Sequence, residues 1–275
     1  MRRVLIIGTS HAAAARFGWE MLAETRGRLV DMTFFVAPVT FFWRLGGQGS
    51  VFGETPKSGL TEQERAHLIE YNGATSIDLE TFDEIFLIGM YWAGTNEILS
   101  FLEAFSVDGL YEASRTQRLT RSAFCDLLRA AFSKQPMDPI WTSLQRPRLT
   151  LFLRPMPIER VRHLRKDQLT FENPWLSQTV DFDKVRPILD LQRQLARDFY
   201  AERGIELMHQ PEETLASCGL TKDEYCRDPV EEILASGGTV DVSHMNAEFG
   251  HRVMAAYLDR LAPIHATGTN SQKEV

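Results

Sequence analysis

Arg3-Val4-Leu5-Ile6-Ile7-Gly8-Thr9-Ser10-His11, running straight into Ala12-Ala13-Ala14-Ala15, decides the fold of this chain. An unbroken apolar run rich in β-branched residues reads as a strand buried on both faces, here Arg3 to Gly8. The Ala-rich segment behind it, carrying Phe17, Trp19 and Met21, reads as a helix over 11–26 that ends near Gly27. A buried strand that turns at once into a helix is the opening of a parallel α/β architecture. It also leaves Ser10 at the carboxyl end of a strand and the amino end of a helix, the edge where open parallel sheets bind ligands. The turn carries neither G-x-G-x-x-G nor G-K-[ST], so it does not read as a nucleotide loop.

The same alternation continues along the chain. A second strand is expected at about Met32 to Ala37, limited by Pro38. Residues 41–59 are rich in Gly and aromatics, show little periodicity and read as a functional loop insertion. Thr61 to Tyr71 reads as a helix in which Thr61 is the N-cap and Glu64 completes a capping box. DEIFLIG (83–89) is the third strand, followed by helices over 95–105 and 120–132. LTLFL (149–153) is the fourth strand, closed by Pro155 and Pro157. Between Asp181 and Arg203, the residues Val185, Ile188, Leu191, Leu195 and Phe199 form one helical stripe; Gly204 ends it and Ile205 to Met208 makes the fifth strand. Met245, Phe249, Val253, Tyr257 and Leu261 stripe a last helix. The expectation is one α/β domain over 1–262 with a mainly parallel five-stranded sheet, and a polar, disordered tail over 263–275.

At 275 residues and 44% hydrophobic, the chain can bury a substantial single core. A formal charge of −7 argues against general nucleic-acid binding, which depends on phosphate neutralisation by Lys and Arg. The apolar run after Met1-Arg2-Arg3 is too short for a signal peptide, and no stretch approaches the ~20 apolar residues of a membrane span. A cytoplasmic protein that uses neither membrane nor nucleic acid is expected, with its oligomeric state open. Cys125, Cys218 and Cys226 are odd in number and lack C-x-x-C spacing, so neither a disulfide framework nor a metal site is expected, though Cys218 and Cys226 could pair if the protein were exported; no cofactor is expected.

Asp241-Val242-Ser243-His244, just before the last helix, supplies what the first turn lacks. Ser10 as nucleophile, His244 as general base and Asp241 as the carboxylate that orients it make up the parts needed for acyl transfer. The plainer alternatives are that Ser10 caps the first helix and that Asp241 or Ser243 caps the last, with His244 in its first turn.

These residues resemble the SGNH or GDSL-like hydrolase superfamily. Gly8, Thr9 and Ser10 resemble its first block, Asp241 and His244 its last D-x-x-H block, and Asn246 and Gly250 its H-x-N-x-x-G run. The resemblance implies a flavodoxin-like three-layer α/β/α sandwich and catalysis by Ser10, His244 and Asp241. Thr9 stands where the family commonly has Asp, a substitution the resemblance associates with glycan O-acetyl esterases and acetyltransferases. It further implies an oxyanion hole made by Ser10, a glycine after the second strand (Gly46, Gly47 or Gly49) and an Asn after the third. Tyr91 occupies that Asn register, and the nearest Asn is Asn96.

Several neighbours bear on substrate. His11, Tyr91 and Trp92 are candidate substrate contacts, a structural first-turn histidine being the plainer reading of His11, and Phe41, Phe42, Trp43 and Phe52 could add an aromatic wall or simply pack as a lid. Arg146, Arg148, Arg154, Arg160, Arg162, Arg165 and Lys166 concentrate positive charge that either meets an anion or forms a solvated face. The expected function is a serine esterase removing an O-acyl group, on the resemblance an O-acetyl group, from a carbohydrate or other small molecule. The alternatives are an O-acyltransferase with the same triad and a non-catalytic glycan-binding protein that keeps the fold.

Overall fold

The computed structural model describes residues 1–27, 30–90, 95–112, 117–133, 148–171 and 180–261, with only the backbone of 95–97. The opening segment forms β1 (Arg2–Gly8), α1 (Ala12–Arg26) and β2 (Val30–Val36). There follow α2 (Val39–Phe42), the hairpin β3 (Gly46–Gln48) and β4 (Val51–Gly53), α3 (Glu62–Asn72) and β5 (Ser76–Asp78). The middle of the chain gives β6 (Glu84–Met90), α4 (Thr95–Ala104), the short pair β7 (Ser106–Val107) and β8 (Arg118–Leu119), and α5 (Arg121–Ser133). The rest gives β9 (Arg148–Leu153), α6 (Arg186–Ala201), β10 (Glu206–Met208), α7 (Val230–Ala235) and α8 (Ala247–Leu261).

The central sheet has five strands in the order β2-β1-β6-β9-β10, and every pair is parallel. This is the flavodoxin-like order 2-1-3-4-5 in the strands of the main sheet. Consecutive strand residues face opposite sides, and Val4, Leu5, Ile6 and Ile7 are all completely buried, so helices must cover both faces. The result is the three-layer α/β/α sandwich. Burying each of those four side chains is worth about 1.5–3 kcal/mol, which fixes β1 between β2 and β6 and with it the position of the turn that follows.

Two glycines let the strand ends crowd that turn. A Cβ on Gly8 would lie 2.6 Å from the Ile88 carbonyl oxygen. Gly89 sits at φ +81°, where the β6–β9 register shifts, and a Cβ there would lie 2.7 Å from the His11 Cβ. Glycine tolerates both the left-handed backbone and the close approach.

The region 41–59 is not the irregular loop expected. Phe41, Phe42 and Phe52 are buried, and the Phe52 ring packs on Phe35 and Phe42, so α2 and the β3–β4 hairpin fold onto the core. These aromatics act in packing rather than as an open substrate wall, while Trp43 is half-buried against them. Single-strand periodicity is undetectable in three-residue strands, which is why the second small sheet, β3-β4-β5, left no signature. The capping box on α3 forms as expected: Glu64 N–H donates to Thr61 Oγ1, and Thr61 N–H to Glu64 Oε2. The tail 263–275 lies outside the described residues.

Candidate active site

Ser10 is exposed in the turn between β1 and α1, where Ala12 N–H donates to the Thr9 carbonyl at 2.9 Å and Ala13 N–H to the Ser10 carbonyl at 3.2 Å. It does not cap α1; the N-cap position is His11, and no side chain caps it. The Ser10 hydroxyl points the other way and meets His244 Nε2 at 2.7 Å. His244 Nδ1 lies 2.6 Å from Asp241 Oδ2. The three side chains therefore form one continuous hydrogen-bonded chain, with His244 donating from Nδ1 to the carboxylate and accepting the Ser10 hydroxyl proton at Nε2.

The loop that carries Asp241 and His244 is stitched on both sides. Ile158 N–H donates to the Val242 carbonyl at 3.0 Å, Arg227 N–H to the His244 carbonyl at 3.0 Å, and Cys226 bridges Met245. His244 precedes α8, and the helix is capped instead by Asn246, whose Oδ1 accepts from Phe249 N–H at 3.0 Å. Its Nδ2 donates to the Glu224 and Cys226 carbonyls. One side chain thus starts the helix and anchors the loop.

Asp241 is nearly fully buried. Burial alone would raise its carboxyl, but the His244 hydrogen bond, the Ser243 N–H at 3.0 Å, and the charges of His244 and Arg227 outweigh it and hold it at about 2. It is ionised at neutral pH and fixes the His244 tautomer. Arg227, 3.7 Å from Asp241 Oδ2, is a member of this cluster that sequence reading missed, because nothing in its spacing marks it.

The two halves of the chain are registered by a helix crossing. A Cβ on Gly18 of α1 would lie 2.0 Å from the Gly250 carbonyl carbon, and one on Gly250 of α8 would lie 1.7 Å from the Ala14 carbonyl oxygen. The helices meet backbone to backbone, each beginning beside its half of the site, so the crossing sets the Ser10–His244 distance. Gly250, read from sequence with the H-x-N-x-x-G run although it stands one residue beyond that spacing, has this packing task.

His11 belongs to the same cluster. Its ring lies nearly parallel to that of His244, with centroids 4.8 Å apart at 14°. Burial, with His244 and Arg154 nearby, pushes it down to about 3 against a smaller opposing pull from Asp241, so it is neutral at ordinary pH. The remaining candidates are placed otherwise. Gly46 pairs with Gly53 and Gly47 with Phe52 in the hairpin ladder, and no hydrogen bond among the described residues joins either to Ser10, Asp241 or His244. Gly49 turns that hairpin at φ +64°. Asn96 lies in the first turn of α4 and its side chain is outside the described residues, as are Tyr91 and Trp92.

The basic run is largely neutralised: Arg148 pairs with Glu206, Arg160 with Asp223 and Glu231, Arg162 with Asp183, and Arg165 with Asp167. Arg154 and Lys166 also have partners, and Arg146 lies outside the described residues. This favours a paired, solvated face. The three cysteines are free thiols, with Cys218 and Cys226 buried.

No family model and no curated protein matches this chain. Among solved structures it is similar to the periplasmic domain of the Salmonella ser. Paratyphi A lipopolysaccharide acetyltransferase, at 11% identity and a TM-score of 0.41, covering 95% of this chain and 84% of that one. A likeness of that degree carries no argument about activity. The cytoplasmic location expected from the sequence is withdrawn, since the structure it resembles is a periplasmic domain. That no described helix is long and apolar enough to cross a membrane favours no compartment.

Proposed function

We propose that this protein handles acyl esters through a Ser10 acyl-enzyme, with hydrolysis of an O-acyl group on a carbohydrate or other small molecule as its reaction. The observation that supports this reading is the unbroken chain Ser10 Oγ, His244 Nε2, His244 Nδ1, Asp241 Oδ2, with links of 2.7 and 2.6 Å. In the first step Ser10 Oγ attacks the ester carbonyl carbon while its proton moves to His244 Nε2. Asp241, already ionised, stabilises the imidazolium. The carbonyl oxygen becomes an oxyanion beside the Ser10 and His11 backbone N–H groups. Neither donates to an acceptor among the described residues, and both lie at the positive end of α1. Collapse breaks the bond to the alcohol, which leaves with the proton from His244. Water then attacks the acyl-Ser10, giving its proton to His244, and the carboxylic acid leaves as Ser10 regains its hydrogen.

Intact mass after a fluorophosphonate probe, run with hydrolysis of 4-nitrophenyl acetate, tests the reading. A single adduct on wild type and none on Ser10→Ala, with hydrolysis falling by several orders of magnitude, is the expected result. Equal slow hydrolysis and no adduct on either protein would refute it. Product analysis with and without an added sugar hydroxyl then distinguishes water from an alcohol as the acceptor.

A further inference from the structure

Among the described residues His11 is the one ring against the face of His244, and the mechanism above gives its side chain nothing to do. One face lies on the His244 ring at 4.8 Å, and the side chain also packs against Gly89, where a Cβ would come within 2.7 Å of the His11 Cβ and 3.1 Å of its Cδ2. Gly89 belongs to β6, which pairs with both β1 and β9 inside the central sheet. His11 therefore links the face of the base to the end of β6.

Hydrogen bonding at Nδ1 does not explain the presence of His11. That atom is buried and has no partner among the described residues. An imidazole chosen for hydrogen bonding would be expected to use a buried nitrogen, because leaving it unpaired costs about 1–3 kcal/mol. What the site does use is a flat, uncharged surface. His244 must become an imidazolium each time it takes the Ser10 proton, and a second charged ring 4.8 Å away would oppose that. The burial that holds His11 neutral removes the conflict.

We propose that His11 is a positioning residue that holds the His244 imidazole, by face-to-face stacking from a side chain packed on Gly89, in the plane joining Ser10 Oγ to Asp241. It acts through His244 and not on substrate. This rests on reading His244 as the base, but the stack itself can be read without turnover. His244 is hydrogen-bonded at both ring nitrogens, yet both bonds permit the ring to tilt about the Nδ1–Nε2 direction. The stack opposes that tilt, and misplacement of a reacting group by 1 Å can cost about 100-fold in rate.

The experiment compares His11→Ala and His11→Phe in the full-length protein. In proton NMR with ¹⁵N-labelled histidine, the His244 Nδ1–H bonded to Asp241 is expected as a downfield, slowly exchanging signal. It should persist in wild type and His11→Phe and broaden or vanish in His11→Ala. With 4-nitrophenyl acetate, His11→Ala is expected to lower kcat by about 10- to 100-fold with KM unchanged, and His11→Phe to recover it to within a few-fold. If His11→Ala does not fold, His11→Leu, which fills the volume without a flat ring, is expected to show the same loss. A wild-type signal and kcat in His11→Ala would overturn the proposal. So would a His11→Phe as impaired as His11→Ala, since the nitrogens and not the ring face would then matter. If wild type neither labels nor hydrolyses, the esterase reading fails, and the NMR comparison still decides the stack.

Discussion

Replacing Gly18 with Ala tests whether the α1–α8 crossing sets the geometry of the site. The new Cβ would lie 2.0 Å from the Gly250 carbonyl carbon and 2.2 Å from the His251 amide nitrogen. Carbon atoms in contact prefer about 3.5–4.0 Å, so the helices must part by roughly 1.5 Å, and both near atoms are backbone that no rotamer change can move aside. Overpacking of a tight core costs about 1–3 kcal/mol, and the backbone-on-backbone contact places this site at the upper end. With a urea m-value of about 3 kcal/mol/M for a chain of this size, the unfolding midpoint should fall by about 1 M. The same displacement would stretch the 2.7 Å Ser10–His244 bond beyond hydrogen-bonding range. Fluorophosphonate labelling should therefore slow by about 100-fold at temperatures where circular dichroism shows the variant fully folded. A variant with the wild-type midpoint and labelling rate would refute the argument. One that loses stability but labels normally would separate the crossing from the site.

Three further outcomes follow from the same geometry. Asp241→Asn should retain the fold near neutral pH and lower kcat by about 10⁴-fold, because the Asn no longer holds His244 in the productive tautomer; steady-state kinetics and thermal melts read the two effects separately. The Asp241 carboxyl is depressed from 3.8 to about 2, so its stabilisation of about 2 kcal/mol is fully present above pH 4 and lost as pH falls through 2. Urea midpoints of Asp241→Asn should lack that acid limb. His11 and His209 are depressed from 6.5 to about 3 and about 4. Both charge only when the chain unfolds, so stability is full above pH 6.5 and falls as pH drops through the folded values; His11→Phe should flatten the slope of urea midpoint against pH between 6.5 and 4. Thr61→Ala should cost about 1 kcal/mol through loss of the α3 cap and leave labelling of Ser10 unchanged, as measured by chemical denaturation and intact mass.

The parts of this fold that could be read from sequence are those where many residues carry one periodic signal. Val4 to Ile7, Glu84 to Ile88 and Leu149 to Leu153 are fully apolar or nearly so, and each is a strand of the central sheet within a residue or two of its expected limits. The Thr61–Glu64 capping box was legible because its chemistry is local to four residues. What was illegible is tertiary. Gly46 and Gly47 look the same in a ladder and in an open loop, and only the pairing with Gly53 and Phe52 tells them apart. Arg227 approaches Asp241 through the fold of the intervening loop. Gly18 carries no motif, yet it makes the contact on which the two ends of the chain are aligned.

That alignment also explains why the site tolerates so long a separation. Ser10 and His244 are 234 residues apart, and closing a loop of that size costs only slightly more entropy than closing one of half the length, since each doubling adds about 0.6 kcal/mol. The closure is not borne by the weak hydrogen bond at the site. It is carried by the buried centre of β1, by the α1–α8 crossing, and by Arg2 Nη1, which donates to the Leu261 carbonyl at the far end of α8 at 3.0 Å. The first strand and helix are thus held to the last helix at both ends of the crossing. Ser10 and His244 meet because their supports are already fixed, so removing either functional side chain should leave the scaffold intact, whereas one methyl group at Gly18 should disturb both.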